Sequence, residues 1–277
     1  MTENSKAVQT ARDYYNSHDA DTFYYTIWGG EDLHIGLYRR PDDTIFEASR
    51  RTVETMANMA NNLGPDSTVM DLGSGIGGSP RYLAKTFGCH VVALNLSEVE
   101  NERHRKMNKE HGVDHLIEVI DGNFESIPKA DESIDVVWSQ DAILHSSNRK
   151  QVLAEAARVL KPGGEMIFTD PMQTEDCYQE FLEPILKRIF LESLATPGFY
   201  CQTARDLGLE VVEYRDFHQQ LTNHYAKVLE ETQAREKELL EKGVSADYIE
   251  HMKTGLENWV MGGTYGHLAW GILHFRK

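Results

Sequence analysis

A glycine-rich segment at residues 69–78 carries the clearest chemical signal in the sequence. It reads Val-Met-Asp-Leu-Gly-Ser-Gly-Ile-Gly-Gly, so Gly73, Gly75 and Gly78 match the Gly-x-Gly-x-x-Gly pattern of dinucleotide-binding turns. Asp71 argues against a dinucleotide, because a carboxylate two residues before the first glycine would repel a pyrophosphate. It suits a cofactor with a cationic head, and the glycines let the backbone approach the ligand closely. The segment predicts a site for S-adenosylmethionine, whose methionyl group carries an ammonium; a turn with glycines for packing alone is the alternative.

Polar residues that could contact the rest of this cofactor follow the next strands. Asn95 ends the second predicted strand, where Asp or Glu is usual, and its amide can bond a ribose hydroxyl. Residues 121–124, Asp-Gly-Asn-Phe, follow the third strand and suit an adenine, although Asp121 could equally cap a turn. Residues 139–141 end the fourth strand, at the edge where ligands of open α/β sheets bind. The predicted cofactor-binding residues are Asp71, Gly73, Ser74, Gly75, Gly77, Asn95, Leu96, Asp121, Gly122, Asn123, Phe124 and Gln140.

Short apolar strands that alternate with helical patterns position these residues. The predicted strands are 68–72, 90–94, 117–121, 134–139, 165–170, 209–214 and 268–275, and the helices between them include 79–86, 97–112 and 152–160. Right-handed βαβ units predict an α/β fold, Rossmann-like, with a doubly wound and mostly parallel seven-stranded sheet whose last strand is antiparallel. A structureless loop of some fifty residues before that strand would be implausible, which predicts a helical insertion instead.

The chain divides into four predicted segments. Residues 1–64 form a helical cap that binds substrate and contains an aromatic-rich turn at 23–30, and residues 65–221 form the S-adenosylmethionine-binding core. Residues 222–263 form a helical lid, and residues 264–277 return to the core as its final strand. We expect the cap and the lid to cover the carboxyl edge of the sheet and to exclude water.

Several longer segments resemble known enzymes. Besides the glycine-rich turn, these are residues 95–97, residues 138–145 (Trp-Ser-Gln-Asp-Ala-Ile-Leu-His) and residues 168–173 (Phe-Thr-Asp-Pro-Met-Gln). They resemble class I S-adenosylmethionine-dependent methyltransferases, and more narrowly the sarcosine/dimethylglycine N-methyltransferases that make glycine betaine. The aromatic-rich turn and the tail at 270–276 extend the resemblance over nearly the whole chain. The family commonly has an arginine directly after a Phe-Tyr pair, where this chain has Cys201.

The resemblance implies methyl transfer from S-adenosylmethionine to the amine of sarcosine, dimethylglycine or both, leaving S-adenosylhomocysteine. The related phosphobase N-methyltransferases share an N-terminal tyrosine and an Asp-x-x-x-His motif, which suggests Tyr24, Asp141 and His145 as catalytic residues. A protonated amine must lose its proton before attack, so His145 is the predicted base, ordered by Tyr24. Asp141 is predicted to hold the positive amine. A histidine at an interface, with no proton role, is the alternative for His145.

The predicted substrate-binding residues supply rings and positive charge. Ring faces attract methylated ammonium groups, and an arginine can grip a carboxylate with two donors. Core packing of the rings and solvated arginines are the alternatives at each position. The residues are Trp28, Trp138, Arg39, Arg51, Met172 and Tyr200.

The composition limits the other functions open to this chain. Its 277 residues include 28 Lys plus Arg and 44 Asp plus Glu, a net charge of −16, so we expect no nucleic-acid or membrane partner. Polar residues follow Met1 without an apolar signal region, and the three cysteines lack zinc spacing, which predicts a cytoplasmic protein with no metal. The expected partner is a small amino acid; a homo-oligomer is compatible with the sequence. Two alternative functions are a phosphoethanolamine-type phosphobase N-methyltransferase and a non-catalytic S-adenosylmethionine-binding regulatory protein.

Overall fold

A seven-stranded sheet forms the centre of the protein. The computed structural model describes Arg12 and residues 16–277; the polar amino-terminal stretch and the start of the predicted cap lie outside the described residues. The strands are β1 (Thr68–Leu72), β2 (His90–Asn95), β3 (Ile117–Asp121), β4 (Ile134–Gln140), β5 (Leu160–Thr169), β6 (Met172–Gln173), β7 (Glu210–Asp216), β8 (Leu268–Ala269) and β9 (Gly271–Arg276). The helices of at least six residues are α1 (His18–Trp28), α2 (Ile45–Met59), α3 (Gly78–Phe87), α4 (Glu98–Glu110), α5 (Arg149–Val159), α6 (Gln179–Arg188), α7 (Pro197–Asp206), α8 (His218–Ala234), α9 (Glu236–Glu241) and α10 (Ala246–Thr264).

The sheet has the order β3-β2-β1-β4-β5-β9-β7, which confirms the predicted doubly wound α/β fold. Strands β1 to β5 pair in parallel, and β9 is antiparallel to both of its neighbours. Alternate side chains of β1 enter opposite cores: Val69 packs with α2 and α3, and Met70 packs with α5 and α7. The strand order reverses between β1 and β4, where open α/β sheets leave a crevice for ligands.

The structure corrects three boundaries. Phe23 to Trp28 are helical rather than part of a turn, because Ser17 caps α1 and Phe23 and Ile27 bury one face of the helix. In the region of the predicted insertion, the first helix begins at His218, four residues before the predicted start, and two more helices follow it. The last predicted strand is interrupted at Trp270, whose carbonyl accepts a hydrogen bond from Phe217 N. Its two parts pair with different strands, β6 and β5.

The helices of the insertion form a second layer beside the sheet. Helix α10 packs against α8 and α6, and α8 also contacts α1 and α2. Val228 and Leu256 share a buried cluster with Phe23 and Trp28, so the amino-terminal cap and the insertion are one packed unit. None of the helices in the described part is long and apolar enough to cross a membrane.

Candidate active site

The glycine-rich turn connects β1 to α3 at the crevice. Gly73 has a φ of +77°, in the left-handed region that favours glycine, and a Cβ there would overlap the Cβ of Ala142. Its N–H donates to Leu94 O at 2.8 Å, which ties the turn to the end of β2. Arg81 on α3 donates to Ile76 O at 2.7 Å and holds the far side of the turn. The backbone is therefore fixed where a ligand can approach it closely.

One end of the crevice has polar groups suited to an amino-acid moiety. Asp71 and Ser74 line this cleft with residues 31–34 of the amino-terminal segment. The Ser74 hydroxyl oxygen is buried and has no hydrogen-bond partner among the described residues. Burial raises the pKa of Asp71 to about 8, and a cation beside it would stabilise the ionised carboxylate. Both observations fit the methionyl end of S-adenosylmethionine.

The other end of the crevice suits a nucleoside. Asn95, Leu96 and residues 122–124 line a cleft there, and Gly122 N donates to Asn95 O at 3.0 Å. Asn95 Nδ2 donates to Glu100 Oε2 at 3.0 Å, and Glu100, which the sequence prediction missed, lines the same cleft. Burial raises the pKa of Glu100 to about 7. We call the two clefts together the cofactor groove; both are lined by Leu33, Gly73, Gly75 and Gln140.

Two of the predicted cofactor residues, Gly77 and Asp121, do not line the groove. The Asp121 carboxylate accepts a hydrogen bond from Asn101 Nδ2 at 2.9 Å and pairs with Arg105, so it fastens β3 to α4 rather than lining the groove. Gly77 is the N-cap residue of α3, and a Cβ there would overlap the ring of His104. The absence of a side chain at position 77 therefore allows α3 to pack against α4.

A second cavity adjoins the groove, and we call it the acceptor cavity. Tyr24, Leu33, Asp141 and His145 line both spaces. Aromatic rings also line the cavity from α1, α8 and α10. The centroid of Trp28 is 5.1 Å from Tyr24 and 5.3 Å from His224, and the rings of Tyr225 and Trp259 stack at 4.8 Å. A ring-lined space therefore opens beside the cofactor groove.

Asp141 lies at the junction of the two spaces. Its φ is +52°, a left-handed conformation that is uncommon for a non-glycine residue and frequent at functional sites. One carboxylate oxygen accepts from Ile35 N at 2.7 Å and the other from Trp270 Nε1 at 2.8 Å. Burial nevertheless raises the pKa of Asp141 to about 6. The side chain is thus oriented by one donor from the cap, Ile35 N, and one from the residue between β8 and β9, Trp270.

His145 is held at the junction by a short 3₁₀ turn, Ile143–His145. Leu144 N in this turn donates to Asp170 Oδ1 at 2.9 Å, and the Tyr200 hydroxyl donates to Asp170 Oδ2 at 2.7 Å. Burial and the nearby Arg149 lower the pKa of His145 to about 4, so its imidazole is neutral at pH 7. Tyr200 therefore positions His145 indirectly and does not line the acceptor cavity, where it was predicted.

The structure also places Trp138 and Met172 away from the cavity. The Trp138 side chain is buried between the sheet and α2, because it alternates on β4 with residues that face the other side. Its Nε1 donates to Gln140 Oε1 at 3.0 Å, and Gln140 lines the groove. Met172 on β6 is fully buried in the core that contains Phe168.

The two predicted carboxylate-binding arginines are not at the site. Arg39 is exposed, and its backbone N–H donates to Asp43 Oδ2 at 2.7 Å. Arg51 Nη1 donates to Asp43 Oδ2 at 2.7 Å and to Leu37 O. Asp43 therefore fixes the loop before α2 and forms an ion pair with the Arg51 guanidinium. Among the described residues, the arginine that lines the acceptor cavity is Arg188, at the end of α6.

The geometry defines the class of protein. A seven-stranded sheet with one antiparallel strand, a glycine-rich turn after β1 and a second cavity at the groove are the features of a class I methyltransferase, and S-adenosylmethionine is its cofactor. A family model described as a methyltransferase domain matches residues 70–168.

Curated relatives define the family within this class. The chain is 59% identical over 272 residues to the sarcosine/dimethylglycine N-methyltransferase of Halorhodospira halochloris, covering 98% of this chain and 97% of the relative. It is 50% identical to that of Aphanothece halophytica over 100% of both chains. A crystal structure from Galdieria sulphuraria, described as a candidate sarcosine dimethylglycine methyltransferase, superposes with a TM-score of 0.90 at 40% identity, covering 95% of this chain and 98% of that one. The chain belongs to the sarcosine/dimethylglycine N-methyltransferase family.

Proposed function

We propose that the protein transfers methyl groups from S-adenosylmethionine to the amines of sarcosine and dimethylglycine, giving dimethylglycine and glycine betaine. The observation that carries this proposal is the junction of the two spaces, where Tyr24, Asp141 and His145 line both the cofactor groove and the acceptor cavity. An in-line displacement needs donor and acceptor to meet at one point in a site closed to water.

The aromatic lining suits amines that gain methyl groups. S-adenosylmethionine, when bound, supplies a methyl group activated on a sulfonium. Each transfer removes an N–H donor from the substrate, and the final product has none, so hydrogen bonds cannot hold it. Attraction between the cation and the ring faces remains available. Tyr24, Trp28, Tyr225 and Trp259 offer such faces around the cavity.

The proton of the substrate ammonium must leave before attack, and the pKa values favour Asp141 over His145 as its acceptor. Burial raises the pKa of Asp141 to about 6, whereas burial and Arg149 lower the pKa of His145 to about 4. The carboxylate is therefore the stronger base and also attracts the ammonium. This proposal differs from the sequence-based prediction, in which His145 is the base and Asp141 holds the amine. We assign His145, which is neutral, and Tyr24 to alignment of the amine.

The cavity disfavours the phosphobase alternative. A phosphate group carries up to two negative charges and calls for several positive groups. Arg188 is the one Arg or Lys side chain that lines the acceptor cavity in the part of the chain that the structure describes. The non-catalytic alternative is disfavoured by Asp141, because its unusual backbone conformation is maintained where the two spaces meet.

A turnover assay tests the proposal directly. S-adenosylhomocysteine formation is measured with glycine, sarcosine, dimethylglycine and phosphoethanolamine as separate substrates, with Asp141→Asn as a variant that should bind cofactor but turn over slowly. We expect activity with sarcosine or dimethylglycine. No turnover with any of the four amines would contradict the proposal. A cytoplasmic location and the absence of a nucleic-acid partner stay predictions.

A further inference from the structure

Two residues that line the acceptor cavity carry a buried side-chain N–H group with no acceptor among the described residues. His224 Nδ1 accepts a hydrogen bond from Gly36 N at 3.2 Å and lies 3.0 Å from the Tyr38 hydroxyl. In the neutral ring the proton is therefore on Nε2. His224 is 0% exposed, and its Nε2 has no hydrogen-bond partner among the described residues.

The second group is the indole N–H of Trp259. This residue is 1% exposed, and its Nε1 likewise has no partner within the described part of the chain. His224 and Trp259 lie on α8 and α10 and line the same cavity. Buried donors are nearly always satisfied in folded proteins, and leaving one unpaired is costly. Two such donors in one cavity indicate a ligand that supplies acceptors.

Arg188 adds a positive charge to the same cavity. It is half-buried at the end of α6, and its Nη2 contacts Met252 Sδ at 2.8 Å. The side chain passes directly over Gly255 on α10: a Cβ at that position would overlap Cδ and Nε of Arg188. A glycine is thus placed where it makes room for the arginine to reach the cavity.

We propose that Arg188, His224 and Trp259 form a carboxylate-binding subsite of the acceptor cavity. A carboxylate has two oxygens that accept several hydrogen bonds and one negative charge, which matches two neutral donors and one cation. Burial lowers the pKa of His224 to about 3, so the imidazole stays uncharged and Arg188 supplies the charge. The subsite rests on the proposed function, since it accounts for how an amino acid is distinguished from an amine without a carboxylate.

The experiment compares two ligands that differ in this group. Glycine betaine and choline carry the same trimethylammonium, but only betaine has a carboxylate. Their binding to the S-adenosylhomocysteine complex is followed by tryptophan fluorescence, a readout that needs no turnover. The variants are Arg188→Met and Trp259→Phe, with Arg188→Lys as the charge-conserving variant. Lys187→Ala is the matched control, because Lys187 is exposed and the substitution removes a positive charge from the same helix end.

We expect Arg188→Met to weaken betaine binding by about 100-fold and to leave choline binding nearly unchanged. Arg188→Lys should recover part of the preference, and Trp259→Phe should weaken betaine binding by about 5-fold. Gly255→Ala, which crowds the arginine, serves as a second variant if Arg188→Met does not fold. Betaine binding that is equal in wild type, Arg188→Met and Gly255→Ala would overturn the subsite. Loss of betaine preference in the Lys187→Ala control would do the same.

Turnover separates this outcome from failure of the proposed function. If the wild-type enzyme methylates dimethylglycine and Arg188→Met has the same KM, the subsite is wrong and the function stands. If the wild type methylates none of the amines but binds betaine through Arg188, the subsite stands and the proposed function is wrong.

Discussion

Asp71 should make cofactor binding depend on pH. Its carboxyl lines the groove, and burial raises its pKa to about 8 from an ordinary value of 3.8. At pH 7 this carboxyl is therefore protonated in most molecules of the free protein. A cationic methionyl ammonium nearby favours the ionised form, so binding of the cofactor releases a proton. The affinity must then rise with pH up to about 8.

The size of the effect follows from the ionised fraction of Asp71 in the free protein. For a group with a pKa of 8, this fraction rises from about 1% at pH 6 to about 50% at pH 8. If the bound state is fully ionised, the affinity for the cofactor increases by about 50-fold over that range. Burial also raises the pKa values of Asp32 and Glu100, which line the groove, to about 7. Asp32 lies in the same cleft as Asp71, so the cationic methionyl group favours its ionised form as well.

Asp71→Asn isolates the contribution of this residue, because asparagine resembles the protonated carboxyl and cannot ionise. Calorimetry with S-adenosylhomocysteine at pH 6, 7 and 8, in two buffers of different ionisation enthalpy, measures both affinity and proton release without turnover. The variant should bind more weakly at pH 8 and show a shallower pH dependence. Asp114→Asn removes an exposed carboxylate and serves as control. A pH-independent affinity, or an unchanged slope in Asp71→Asn, would refute the reasoning.

Three further predictions concern the junction and the surface. Tyr24→Phe and His145→Ala should each lower kcat by roughly 10² with little change in S-adenosylhomocysteine affinity; unaltered turnover would remove that residue from the mechanism. Tyr200→Phe should lower stability by about 1–3 kcal/mol and reduce kcat, since Asp170 loses its hydroxyl donor and the turn that holds His145 loosens. Denaturant unfolding and steady-state rates check this, and a wild-type result in both would exclude the positioning role. The net charge of −16 should keep the enzyme active toward 1 M KCl, because salt screens the repulsion between carboxylates; a steep fall in activity would contradict this.

The sheet could be predicted from the sequence because its central strands are buried on both faces. Parallel strands of this kind appear as short continuous apolar runs, such as residues 90–94, and these alternate with helical patterns. The boundaries of the cap and the insertion were harder to predict from the sequence. The aromatic residues 23–28 favoured a turn beside two glycines, but tertiary packing of Phe23 and Ile27 makes them the end of a helix.

The cofactor groove is local in sequence, and the acceptor cavity is not. The turn after β1 brings Asp71, Gly73 and Ser74 together within four residues, so a pattern can identify them. Arg188 and Trp259 come from separate helices. In the sequence each resembles an ordinary surface or core residue of a helix, so no pattern singles it out. Arg51 was favoured for its closeness to the aromatic segment, but its guanidinium pairs with Asp43, eight residues away in the sequence.

Charge explains why the two spaces need such different residues. The groove and its junction contain buried carboxyl groups, Asp71 and Asp141 among them, whose raised pKa values mean that ionisation in the free protein is unfavourable. The pKa of each group is raised from 3.8, to about 6 for Asp141 and about 8 for Asp71. Their contribution to the free energy of unfolding is therefore full below pH 3.8 and is lost as pH rises through these values. A sulfonium cofactor and an ammonium substrate restore it, so both cations are favoured by the same carboxyls.

A substrate carboxylate has the opposite requirement, and in a chain of net charge −16 no long-range attraction guides it. Its recognition must come from a nearby cation, which is the position that Arg188 holds over Gly255.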